Sequence, residues 1–147
     1  MWPKVSEPSS PKRAASPAPP MALRQLPPAR EPVAETLAYM DRHFVFSGFA
    51  FADLHRIAIT ALGGDDDRKA ALAQDLRRQC EREGSAVSGL LVTLCDGFFA
   101  FAEGRYRAAA ALLAPVLDDT VLLGGSNPQR RLVADTHEAA CAHIAGG

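Results

Sequence analysis

Apolar residues recur along most of this chain at intervals of three and four, the spacing that gathers them into one stripe of a helix. Leu54, Ile57, Ala58, Ala61 and Leu62 make such a stripe between about Phe51 and Leu62. Gly63-Gly64 then ends the pattern, as glycine does at a C-terminal cap. Asp65, Asp66 and Asp67 are placed to cap and charge the start of the next helix. That helix has Leu72, Leu76 and Cys80 on one side, with Arg68, Lys69, Asp75, Arg78 and Glu81 elsewhere, and Gly84 closes it. Ser85 opens a more apolar stretch, Val87, Leu90, Leu91, Leu94, Cys95, Phe98, Phe99 and Ala102. So broad a face predicts burial on two sides. Glu103-Gly104-Arg105 marks another turn, and Tyr106, Ala109, Ala110, Leu113, Val116 and Leu117 form the following face. A last helix begins near Ser126 and uses Leu132, Val133, Thr136, Ala140 and Ile144.

Before these, Pro32 sits well near a helix start, and Val33, Leu37 and Met40 follow at helical spacing. Phe44, Phe46, Phe49 and Phe51 alternate around Ser47-Gly48. With no second strand candidate to pair with, they read as an aromatic linker packed onto the next helix. Five to six helices with short connections predict an all-α stack of antiparallel hairpins, with Gly63 and Gly104 at matching turns. A repeat of that order without strands is the pattern of an α-solenoid.

Composition separates a head from this domain. Nine of the eleven prolines lie at or before Pro32, among Ser, Ala and basic residues. Such a segment has too little apolar surface to offset chain entropy of about 1–2 kcal/mol per residue. Residues 1–32 are therefore expected to be a disordered tail with polyproline II character, and residues 33–147 the folded domain. Charge narrows the function classes. Lys and Arg number 16 against 17 Asp and Glu, so no basic excess exists for nucleic acid or an anionic membrane surface. Cys80, Cys95 and Cys141 are widely spaced without a CxxC, which reads as reduced thiols. No apolar run reaches the ~18–20 residues of a membrane span. The start of the sequence lacks the apolar stretch of a secretory signal, so the cytoplasm is the expected location.

The stretch Gly97-Phe98-Phe99-Ala100-Phe101-Ala102-Glu103-Gly104-Arg105-Tyr106-Arg107-Ala108-Ala109, followed by Leu113, resembles the middle of a tetratricopeptide repeat. The resemblance implies that Gly97 lets a second helix come close. Gly104, Tyr106, Ala109 and Leu113 would fill the turn and packing positions. Phe51-Ala52-Asp53-Leu54-His55 and Leu123-Gly124-Gly125-Ser126-Asn127-Pro128-Gln129-Arg130 are similar to the C-terminal region of the tetratricopeptide repeat protein 38 family. That resemblance spans about residues 47–145. Asn127 and Pro128 stand where the family has His and Ala. It implies a helical-repeat fold and supplies no reaction.

Candidate chemistry is sparse. The pair Gly124-Gly125 before a helix start, with Arg130 nearby, has the ingredients of an anion site. Ser126 and Gln129, three apart, equally make a capping box, with Pro128 tolerated in the first turn. Asp53 and His55 could form an acid–base pair, but residues two apart on a helix point in nearly opposite directions. Asp53 then charges the helix start and His55 lies at the core edge. His137 and Cys141 share a helix face, but two ligands are too few for a zinc site, and core or edge packing is the simpler role. No catalytic motif and no cofactor fingerprint is present. The expectation is a non-enzymatic scaffold that needs no cofactor or metal. It would grip a protein or peptide partner in a groove that includes His55, Arg56, Thr93 and Arg130. Apolar residues between Val33 and Phe51 add an expectation of self-association. The alternatives are a truncated or accessory domain of a longer protein or enzyme, and a module sensing anions or small molecules.

Overall fold

A computed structural model describes residues 30–43 and 49–147. Most of the head expected to be disordered, and Phe44 and Phe46 of the linker, lie outside these residues. Among the described residues the protein is all-helical: α1 (Arg30–His43), α2 (Ala50–Gly63), α3 (Asp66–Glu83), α4 (Ala86–Ala102), α5 (Tyr106–Leu113) and α6 (Asn127–Ala145). Two 3-10 turns, Ala114–Val116 and Asp118–Leu123, separate α5 from α6. None of these helices is long and apolar enough to cross a membrane.

Helix boundaries follow local chemistry. Asp65 caps α3, its carboxylate accepting the Arg68 N–H at 2.8 Å. Ser85 caps α4 in the same way, accepting from the Ser88 N–H at 3.1 Å. Gly84 ends α3 in the left-handed conformation, φ 59°, and sends its N–H to the Cys80 carbonyl. The end of α2 differs from the expectation. Gly64 caps it with extended backbone, φ −74°, so left-handed freedom is not what these glycines provide. Gly63 is needed for space: a methyl there would lie 2.1 Å from Val33 Cγ1, where α1 crosses. The α4–α5 turn has the expected glycine, Gly104, at φ 76°. α5 is shorter than its apolar pattern. Pro115 lacks the N–H that would continue the ladder, and the chain tightens into 3-10 geometry.

α4 is the centre of the molecule. Leu90, Leu91, Leu94, Cys95, Phe98, Phe99, Ala100 and Phe101 are all buried, and α2, α3 and α5 pack around them. This is the two-sided burial that its broad apolar face predicts. α6 lies mainly against α5, with Val133, Thr136 and Ala140 buried. α2 packs along α4 and only slightly touches α3, although just Gly64 and Asp65 separate α2 from α3. α1 rests on the outer side of α2 through Leu37 and Val33, and Asp41 reaches Arg68 of α3 at 2.8 Å. Of the aromatic linker, Phe49 and Phe51 are among the described residues: Phe49 is 66% exposed and does not seal α2, Phe51, in the first turn of α2, is 37% exposed, and their rings lie 5.9 Å apart.

Candidate functional site

The candidate site residues of the sequence fall mainly into two separate places, and the fold assembles a third. The first is the start of α2. Asp53 is buried in its first turn and lies 3.4 Å from the Arg56 guanidinium. His55 turns away and places Nδ1 2.7 Å from the Phe51 carbonyl. A carbonyl only accepts, so Nδ1 carries the proton. Asp53 and His55 therefore serve different partners and form no acid–base pair. Arg56 lines a cleft of about 330 Å3 between α1, α2 and α3, together with Asp41, Thr60, Arg68 and Asp75. Its charges are largely matched, Asp41 with Arg68 inside the cleft and Asp75 with Arg78 outside it. Thr93, on α4, is half-buried and returns its hydroxyl to the Gly89 carbonyl at 3.2 Å. It does not line that cleft.

The second place is the loop entering α6. The Ser126 N–H donates to Gln129 Oε1 at 2.7 Å, and the Ser126 carbonyl takes the Gln129 N–H at 3.1 Å. The Ser126 hydroxyl faces the same N–H in a capping box but without a full hydrogen bond, so Gln129 is the stronger half. Gly124 and Gly125 both have positive φ, 68° and 73°. A methyl on Gly125 would strike Gln129 Oε1 at 2.1 Å. Gly125 thus makes room for the glutamine side chain, which occupies the N–H an anion would use, whereas Gly124 has open space and serves the turn through its positive φ. Arg130 hydrogen-bonds Asn127 Oδ1.

The third place was not visible in the sequence. Where the α4–α5 turn meets the end of α6, Tyr106 and His143 stack flat, centroids 4.0 Å apart and planes 5° from parallel. Phe101 stands edge-on to both, at 5.5 Å and 6.4 Å. Tyr106 and His143, but not buried Phe101, border a notch of about 530 Å3 that Arg105, Arg107 and Gly147 also line. Arg105 is held by Glu103 at 2.6 Å, whereas Arg107 is exposed and meets no carboxylate among the described residues. Tyr106 was legible as a packing residue. His143 lies far along the chain and off the face shared by His137 and Cys141, so only the folded arrangement brings it in.

The helix interior beside this notch explains Gly97. A methyl on Gly97 would lie 2.6 Å from Leu113 Cδ2 and 2.9 Å from its Cγ, so α5 approaches α4 where only hydrogen fits. Ala109 and Leu113 are fully buried there.

The thiols and imidazoles do not assemble a metal centre. Cys141 Sγ lies 3.6 Å from His137 Nε2 on the exposed side of α6. Among the described residues no three His, Cys, Asp or Glu side chains are grouped closely enough to hold an ion. Cys95 is buried in the core, and burial, with Asp96 adding to it, pushes its thiol up to about 12. It stays protonated and acts as a small apolar group. Compared with known proteins, the chain matches no family model, no curated sequence and no solved structure.

Proposed function

We propose that this protein is a tetratricopeptide-like helical-repeat scaffold that binds a peptide or helix of a partner protein. The observation that carries the reading is the seating of Leu113 in the gap left by Gly97. Buried Ala109 lies beside it, and Tyr106 at the head of α5 leans on Phe101 of α4. Small-against-large packing of this kind lets consecutive helices nest at a fixed distance and stack further pairs. The packing of α2 along α4, and of α6 on α5, continues the stack in both directions. A resemblance to the C-terminal region of the tetratricopeptide repeat protein 38 family agrees with that arrangement. Binding without chemistry fits the sites above: Asp53, Gln129 and Arg130 are each engaged in local structural bonds.

Chemical-shift mapping of the full chain with a pool of short unstructured peptides tests this reading. Perturbations gathered on one continuous face would support it. A chain whose spectrum is unmoved by every peptide at millimolar concentration would end it. Self-association has its own support in Tyr39, Phe49 and Phe51, which are 56%, 66% and 37% exposed. Light scattering at rising concentration should show mass above the monomer, and a strict monomer removes this part of the proposal.

A further inference from the structure

His137 and Cys141 stand one turn apart on the exposed side of α6, and their separation has a meaning beyond packing. Zinc holds a thiolate at about 2.3 Å and an imidazole nitrogen at about 2.0–2.1 Å, with tetrahedral bonds about 109° apart. Those values put sulfur and nitrogen about 3.6 Å from each other. Cys141 Sγ and His137 Nε2 are 3.6 Å apart. The pair therefore spans one edge of a tetrahedral zinc site without any rearrangement of α6. An S–H···N contact covers the same distance, so in the metal-free chain a thiol proton bridges the two atoms that an ion would join. Among the described residues no third His, Cys, Asp or Glu completes the group. One chain thus supplies half of a four-ligand site.

We propose that two copies of this chain share one zinc ion through His137 and Cys141 of each, joining their α6 helices across a two-fold axis. A two-fold interface repeats every group near its axis, so two ligands become the four that zinc takes in a closed site. The donors suit the metal. Two thiolates and two neutral imidazoles form a mixed sulfur–nitrogen set typical of tetrahedral zinc, and the thiolate charges cancel the dication. Each thiol releases its proton to solvent as it binds. The surrounding face allows the approach. Ala134, three residues before His137, and Ala145, four after Cys141, put only methyl groups in the path of a second helix. Arg130, two turns before His137 on this face, is turned to Asn127. Val133, Thr136 and Ala140 anchor the inner side of α6 in the core, so the ligands sit on a rigid element. Glu138, exposed beside His137, adds a like charge from each copy, which makes pairing depend on the cation. The inference is independent of peptide binding and of the exposed Tyr39, Phe49 and Phe51.

The test takes the full chain, stripped of metal by a chelator and kept reduced with a phosphine. Zinc chloride is added while mass is read by light scattering. Mass should double and level off at one zinc per two chains, and excess chelator should reverse the change. Cobalt(II) in place of zinc should give the intense visible bands of a tetrahedral ion and the near-ultraviolet absorption of a cobalt–thiolate bond. Cys141→Ser and His137→Ala should each weaken the zinc-driven doubling at least about tenfold. Cys80→Ser should leave it unchanged. Cys141 is exposed, so metal-free Cys141→Ser should melt as the parent does, which excludes unfolding as the cause. Zinc that leaves the mass unchanged, or that binds one ion per chain, overturns the shared site. Equal doubling by Cys141→Ser, or a cobalt spectrum without thiolate absorption, does the same. A chain already associated in chelator that gains nothing from zinc also overturns it, while leaving self-association through the exposed aromatic residues intact.

Discussion

Single residues here act mostly through space and local hydrogen bonds. The loop before α6 shows it most clearly. Gln129 Oε1 receives the Ser126 N–H, and Gly125 exists to leave room for that amide. Gln129→Ala should therefore cost about 1 kcal/mol in urea unfolding, and Ser126→Ala only a few tenths. Equal losses would mean that the hydroxyl caps as strongly as the amide. Gly97→Ala should cost about 1–3 kcal/mol, because the methyl meets Leu113 in a packed interior. Combining it with Leu113→Ala should lose less than the sum of the two, and a double-mutant cycle with no coupling would refute the contact. Cys95 adds a pH effect with a definite sign. Its folded value of about 12 lies above the ordinary 9.0, so the folded chain holds the proton more tightly. The contribution is intact below about 9 and drains away as pH rises toward 12. Alkylation of the native protein at mild pH should therefore label exposed Cys141 before Cys95. Early labelling of Cys95 would show that the core opens.

At the scale of elements, helix ends were far more legible than helix partners. Asp65, Gly84, Ser85 and Gly104 mark their boundaries with side chains and backbone that act within a few residues, so a linear reading finds them. The same reading overextended α5. Pro115 was visible, but its effect depends on whether packing would hold the helix through it. The 3-10 turns show that packing did not. Gly63-Gly64 was placed correctly as an ending, with Gly64 the C-cap, but the space that Gly63 leaves for Val33 depends on where α1 crosses. Among the described residues α1 packs on α2 and reaches α3 through the exposed Asp41–Arg68 pair. Gly63→Ala should improve helix propensity at the end of α2 while displacing Val33. Hydrogen exchange should then speed up over residues 33–43 and stay slow across α4. Uniform acceleration would mean that α1 is part of the main cooperative unit.

Across the whole molecule, stability concentrates on α4. Phe98 is fully buried there, and Phe98→Ala should cost about 3–5 kcal/mol, a large share of what a domain this size can have. Thermal melting should drop sharply, and a small change would show that the core is looser than its burial indicates. Of the candidate sites, the sequence exposed individual residues but not their grouping. Arg56 faces a cleft made with α1 and α3, Thr93 lies on α4 outside it, and Arg130 belongs to the α6 loop. The Tyr106–His143 stack joins positions from opposite ends of the α5–α6 segment, and no local pattern announces such a meeting.

The small contact between α2 and α3, set against the long one between α2 and α4, has a consequence during synthesis. A ribosome that has released α1, α2 and α3 has produced α2 and α3 without the helix on which both chiefly pack. Collapse must wait for the stretch from Ala86 onward to emerge, and a nascent chain arrested earlier should remain sensitive to protease.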